Sequence, residues 1–198
     1  MRTLLVVGSA PNLWVDLEGA KARCPDHEIM LVNGACAAVE DAQHVLAGHT
    51  SKAEQFAKAR REAFPFALPW KLHASRLIRR SEAALRKQHP CVDVWWGPEM
   101  SSGATSAGKA ALIGLAMGFD RIVLCGCPMD GSGYFPGESK IGAEIKQEAV
   151  CQRVGDPKKQ QMTLIRRYRD TMKKLAETTF RGKVFSMSGF TREVLGAP

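Results

Sequence analysis

Between Ser101 and Tyr134 the chain reads SSGATSAGKAALIGLAMGFDRIVLCGCPMDGSGY: a polar glycine loop, an apolar helix, a hydrophobic strand (Arg121 to Cys125) and a second glycine loop. That order narrows the fold more than any other feature. A short strand apolar along its whole length is a buried central strand. The preceding helix is studded with small residues (Ala107, Gly108, Ala110, Ala111, Gly114), which let it approach a sheet closely. Near the N-terminus, Thr3 to Val7 followed by Gly8-Ser9-Ala10-Pro11-Asn12 repeats the theme of strand, tight turn and helix start.

The pattern continues between these two landmarks. A helix is predicted over about Leu13–Arg23, a strand at Glu28–Val32 ending in Asn33-Gly34, a short helix at Ala35–Ala42 and a strand at His44–Ala47. Ser51 with Glu54 reads as a capping box opening a helix through about Ala63. Pro65, Pro69 and Trp70 mark a loop. Strands at Lys71–Leu77 and Val92–Trp96 flank a helix at Arg80–Gln88, and the small-residue helix spans about Thr105–Met117. From Cys127 to Pro157 periodicity is lost, and a stretch of that length in a compact domain reads as a lid-like loop. An amphipathic helix at about Met162–Thr178 and a strand at Lys183–Met187 complete the series. Alternating strands and helices argue for a doubly wound, mainly parallel, Rossmann-like α/β sheet in a single domain spanning residues 1–198. Its glycine turns then share the carboxyl edge of the sheet, where such folds hold ligands.

Composition bounds the class. At 198 residues, 45% hydrophobic and 24% charged, the chain suits one globular domain, and its apolar runs fall short of the roughly 20 residues of a membrane span. With no secretory pattern at its start, the expected location is the cytoplasm. Six cysteines without a CxxC pair read as buried free thiols, with Cys125 and Cys127 expected on one side of their strand, and no metal site is predicted. The 28 basic and 20 acidic residues leave +8, concentrated around Arg76–Lys87 and Lys158–Lys174. Such faces are either solvated helix surfaces or sites for an acidic partner: a nucleotide phosphate, an anionic acceptor, nucleic acid or an anionic membrane surface. A homo-oligomer is expected.

The turns supply the candidate site. Gly8, Ser9, Ala10, Pro11 and Asn12 can offer backbone N–H groups and a hydroxyl to a phosphate at a helix start, although Asn12 equally suits an N-cap. The loop is not GxGxxG and has no P-loop lysine. Asn33, with Gly34, carries an amide suited to a base or ribose edge, or simply forms a turn. His49 is a candidate acid or base. Ser102, Gly103 and Thr105 stack polar groups ahead of a helix, Gly126 closes the next strand, and in the loop beyond it Asp130 is a candidate general base and Tyr134 a phosphate donor.

On these residues the chain resembles the sialyltransferase-like Rossmann family: bacterial lipooligosaccharide sialyltransferases together with related phage proteins and archaeal-type pterin pyrophosphokinases. The shared pattern is a first strand closed by a Gly-Asn-Gly-Pro-Ser-type loop (Gly8 to Asn12), a second strand ending in Asn33, a Ser-Gly loop (Ser102-Gly103) leading a small-residue helix into Met117-Gly118-Phe119, a strand ending at Gly126, and a loop tyrosine (Tyr134). The resemblance implies a metal-independent glycosyltransferase using a nucleotide-activated sugar, of the CMP-sugar type, as co-substrate and no other cofactor. Ser9 and Asn33 would hold the nucleotide, Ser102 and Gly103 the sugar acid, and Tyr134 the departing phosphate. The chain departs from the pattern where Ser9 replaces an asparagine, and where the expected histidine before the last helix is missing, since no histidine follows His89. His49 and Asp130 are the remaining candidates for the base. Two alternatives stand beside this expectation. One is ATP-dependent diphosphate transfer, with Asp93, Asp120 and Asp130 as Mg²⁺ ligands. The other is a non-catalytic protein that binds nucleotides or nucleic acid.

Overall fold

The computed structural model describes residues 1–76, 81–103, 105–129 and 157–198. Seven strands form one all-parallel sheet: β1 (Thr3–Val7), β2 (His27–Val32), β3 (His44–Ala47), β4 (Lys71–Ser75), β5 (Val94–Trp96), β6 (Arg121–Cys125) and β7 (Val184–Ser186). Among the described residues six helices flank it: α1 (Leu13–Arg23), α2 (Ala53–Ala63), α3 (Glu82–Gln88), α4 (Ser106–Ala116), α5 (Pro157–Glu177) and α6 (Gly189–Leu195). The strand order is β5-β4-β3-β2-β1-β6-β7. The chain therefore winds outward from β1 to β5, then crosses back over the sheet through α4 to place β6 on the other side of β1. That reversal makes the β1–β6 boundary the topological switch point. No helix among the described residues is long and apolar enough to cross a membrane.

Side-chain alternation divides the core in two. Leu5, Val7, Ile29, Leu31 and Val45 point to one face and are covered by Leu13 and Leu17 of α1 and Phe56 of α2. Leu4, Val6, Met30, Val32 and Leu46 point to the other and are covered by Ala107, Ala110, Ala111 and Ile113 of α4 and Met172 of α5. The small residues of α4 act as expected: a Cβ on Gly114 would lie 2.7 Å from Leu4 Cδ2 and from Ile122 Cδ1.

Three of the departures from the expected elements have a local cause. The helix expected at Ala35–Ala42 is only a 3₁₀ turn, Asn33–Ala37. The fully buried Arg60 of α2 donates to the carbonyls of Cys36, Val39, Glu40 and Ala42, so the segment wraps around a guanidinium instead of pairing with itself. The capping box at Ser51 does not form. Thr50–Lys52 is a 3₁₀ turn and α2 starts at Ala53, because Thr50 Oγ1 donates to Ser75 O (3.0 Å) and draws the turn against β4. Cys125 and Cys127 fall into different cores, since Gly126 has φ of 61° and breaks the strand alternation between them. Both thiols are free and buried, and burial pushes Cys127 up to about 12.

Candidate functional site at the carboxyl edge

All seven strands being parallel, the turns after β1, β2, β3, β5, β6 and β7 do meet along one edge, but they form two distinct polar assemblies. The first closes the switch point. Gly8 N–H donates to Cys125 O (2.8 Å) and Ala10 N–H to Gly126 O (3.1 Å). A Cβ on Gly8 would lie 2.6 Å from Gly126 O and 2.5 Å from Cys127 Sγ, so only glycine lets the two turns touch. Beneath them the buried Asp16 of α1 gathers three donors on one oxygen: Gly126 N–H (2.9 Å), Ser188 Oγ (2.6 Å) and Asn12 Nδ2 (3.1 Å). Asn12 also donates to Ser188 Oγ at 2.5 Å and makes no side-chain cap to α1. Two of the amides expected to face a phosphate are thus spent on the neighbouring strand, and Asn12 serves a latch joining the ends of β1, β6 and β7. Pro11 is exposed and has no N–H. Ser9 is buried, and among the described residues its hydroxyl has no hydrogen-bond partner. Asp16 and Ser188 were not singled out from sequence. The available signal was an acid on the same helical face as Leu13, Leu17 and Ala20.

The second assembly lies where α4 starts, over the ends of β2, β3 and β4. Asn33, at φ 53°, accepts from Gly48 N–H through Oδ1 (2.8 Å) and donates to Ser106 Oγ through Nδ2 (3.1 Å). The amide therefore clasps the β3 turn to the first residue of α4, and one Nδ2 hydrogen remains for other use. Gly48 has no room for a Cβ, which would strike Ser106 Cβ at 2.7 Å and Asn33 Oδ1 at 2.9 Å. Gly34 is buried within the 3₁₀ turn. Thr105 caps α4, its Oγ1 accepting from Gly108 N–H at 2.9 Å. Ser102 and Gly103 belong to the 3₁₀ turn Pro98–Gly103 leading to that cap.

Lys109, one turn into α4, is a further residue that the sequence motifs did not single out. Its ammonium is half-buried and donates to Gly48 O (3.1 Å) and Ser75 Oγ (3.0 Å), both neutral. Among the described residues it forms no ion pair, and burial lowers its pKa. The signal was plain enough: Lys109 is the single charged residue in a helix whose other positions are small or apolar. A buried cation whose partners are all neutral keeps its charge uncompensated and available to an anion. His49 flanks it. Its surface is open to solvent, yet desolvation, followed by the charges of Lys109 and Lys52, lowers the imidazole below its ordinary value and leaves it neutral at pH 7.

On the α4 face a line of hydrogen bonds runs across four strands. Trp96 Nε1–H donates to His73 Nδ1 (3.0 Å), His73 Nε2 meets His44 Nδ1 (3.0 Å), and His44 Nε2 meets Glu28 Oε2 (3.1 Å). The indole can only donate, so His73 Nδ1 accepts and the proton of neutral His73 lies on Nε2, directed at His44. Burial, with the charges of His44 and Lys71, depresses His73 to about 3. Trp96 also stacks on His73 at 6.1 Å.

Asp130 and Tyr134, and all of the expected lid beyond Met129, lie outside the described residues. Asp93 and Asp120 do not line the carboxyl edge. Both precede their strands, Asp93 accepting from Leu72 N–H and Asp120 from Arg2 N–H at 2.7 Å each, so they sit at the opposite rim. Among the described residues no three His, Cys, Asp or Glu side chains are grouped as metal ligands. A groove of about 570 Å³ at that opposite rim, lined by Glu40, Asp41, Phe66 and Leu68, is remote from Lys109. Compared with protein-family models, curated proteins and solved structures, the chain finds no match.

Proposed function

We propose that this protein is a transferase acting on a nucleotide-activated donor, of the glycosyl-transferring kind that its sequence resembles, with the donor's phosphate held at the start of α4. The observation that carries this reading is Lys109: a half-buried ammonium with only neutral partners, at the carboxyl edge of a doubly wound sheet. Around it stand the Ser106 hydroxyl, the spare hydrogen of Asn33 and the N–H groups of Ser106 and Ala107, which precede the capped Gly108 N–H and have no intrahelical acceptor. All are donors, and together they suit a phosphate oxygen rather than a cation.

In the transfer step the acceptor's hydroxyl oxygen attacks the activated carbon of the donor, the bond from that carbon to phosphate breaks, and the nucleotide leaves with the electron pair. Lys109 and the α4 donors stabilise the charge gathering on the leaving phosphate. Neutral His49 is the base that takes the acceptor's proton. Diphosphate transfer is less well supported, because two of its three candidate Mg²⁺ ligands, Asp93 and Asp120, sit at the far rim.

A thermal-shift panel of CMP, CDP, UDP, GDP, ATP and their sugar conjugates tests the proposal. At least one should raise the Tm of the wild type and leave Lys109→Met unmoved. Stabilisation by none of them, or equal stabilisation of both proteins, would sink it.

A further inference from the structure

Of the two basic clusters in this chain, the one toward the C-terminus is the larger. Residues 157–183 hold nine basic and two acidic side chains, a net +7 of the chain's +8. Elsewhere, three basic residues find acids on their own helices: Lys21 with Glu18 at 3.5 Å, Lys58 with Glu62 at 3.6 Å, Arg86 with Glu82 at 2.9 Å. Arg166, Arg167, Lys173, Lys174, Arg181 and Lys183 are exposed and, among the described residues, none of them forms an ion pair. Asp170 and Glu177 lie three or four residues from these cations along α5 and offset part of their charge.

The geometry is a rod. Arg166 and Arg167 recur as Lys173 and Lys174 seven residues on, two helical turns or roughly 10 Å apart. Arg181 and Lys183 extend the row past the helix end. The helix dipole accounts for Lys173 and Lys174 near the C-terminus but not for Arg166 and Arg167 in mid-helix. Arg169 is turned inward instead, donating to Met129 O (3.0 Å) over the Phe190 ring, and belongs to the packing. With 21 residues, α5 is about 31 Å long, close to one turn of a B-form duplex.

We propose that the exposed face of α5, with Arg181 and Lys183, docks on the phosphate backbone of a nucleic-acid duplex. A membrane surface fits less well, because lipid binding also buries apolar side chains. Among the described residues the exposed large hydrophobics are Met1, Trp14, Val15, Phe66 and Leu68, none of them between residues 165 and 183.

Fluorescence anisotropy of the full chain with a labelled 30-base-pair DNA duplex tests this. Wild type binds at 50 mM salt, with affinity falling steeply as salt rises. The quadruple variant Arg166→Gln, Arg167→Gln, Lys173→Gln, Lys174→Gln loses at least tenfold in affinity, and its log–log salt slope shrinks by about 3.6, or 0.9 per phosphate contact. The charge-matched control, Arg23→Gln, Lys58→Gln, Arg61→Gln, Lys87→Gln, stays within about threefold of wild type. Arg166→Lys with Arg167→Lys keeps binding, and circular dichroism checks that each variant is folded. Tighter binding to an RNA duplex would support the same surface. No binding at 50 mM salt, equal losses in both quadruple variants, or capture by phosphatidylserine vesicles without duplex binding would overturn the proposal.

Discussion

Replacing Lys109 by methionine separates a binding cation from a structural one. Methionine keeps an unbranched apolar stem in the same space and removes the charge. In the free protein the loss is two hydrogen bonds, to Gly48 O and Ser75 Oγ. Each acceptor left dry costs about 1–3 kcal/mol. Against that, the variant no longer holds a cation away from water, a penalty of similar order. The fold is therefore expected to survive with a modest change in Tm. The bound state has no such offset. A phosphate oxygen about 4 Å from the ammonium gains roughly 4 kcal/mol per unit charge at an effective dielectric of about 20. Rearranging the two existing bonds returns about 1 kcal/mol each, leaving a net near 2 kcal/mol. Titration calorimetry with the nucleotide that stabilises the wild type should thus show Kd rising about 30-fold in Lys109→Met. Lys109→Arg, which keeps the charge, should recover part of it. A Kd within twofold of wild type in the methionine variant would refute the assignment of phosphate to Lys109, whatever its effect on Tm.

Four further outcomes follow from named contacts. With His49 neutral at pH 7 and its pKa lowered below 6.5, kcat/KM should be flat above pH 6.5 and fall only below it, and a plateau that ends at higher pH would remove His49 as the base. His73 is depressed to about 3, so from pH 6.5 downward the unfolded chain takes the proton first and stability falls, by up to about 1.4 kcal/mol per pH unit. Urea titrations between pH 6.5 and 4.5, above the main carboxylate range, should show this slope, and His73→Gln should flatten it. Arg60→Ala strands three buried carbonyls and a fourth, of Glu40, that is part-buried, and should cost about 3–5 kcal/mol in chemical denaturation, a loss under 1 kcal/mol arguing that the 36–42 segment does not depend on the guanidinium. Gly8→Ala puts a methyl 2.6 Å from Gly126 O and should cost about 1–3 kcal/mol, read as a Tm drop of several degrees.

What was legible in the sequence was whatever the backbone period and apolar burial decide together. Strands such as Leu4–Val7 and Ile122–Cys125 are buried on both faces, so they read as unbroken apolar runs, and their shared direction followed from the helices between them. The small residues of α4 announced a close approach that Gly114 makes with Leu4 and Ile122. Local rules failed where a distant side chain supplied the deciding bond. Nothing within residues 35–42 reveals that Arg60 will take their carbonyls, nor within Ser51–Glu54 that Thr50 will bond to Ser75. The turns at the carboxyl edge show the same limit. Loop motifs drew attention to glycines and hydroxyls, yet the amides of Gly8 and Ala10 pair with β6 and its turn, and the charge sits one helical turn inside α4. A lone lysine in an apolar helix and a lone aspartate on the buried face of α1 were readable anomalies. An ionisable group that burial should exclude is a better pointer than a turn motif that many loops share.

The two cationic features lie under different electrostatic regimes, and this makes them separable. Lys109 is recessed among neutral groups, where added salt screens little; the α5 cations stand in solvent, within a Debye length of about 10 Å at 0.1 M salt. A nucleotide held at Lys109 should lose little affinity when salt rises from 50 to 200 mM. A duplex held by four or more α5 contacts should lose roughly 150-fold or more over the same range, since a slope of 3.6 acts on a fourfold change. If both ligands weaken in parallel, they share the exposed surface and Lys109 has no separate role. If only the duplex weakens, one small domain carries two independent anion sites, with the sheet edge recognising a phosphate by enclosure and the helix by charge density alone.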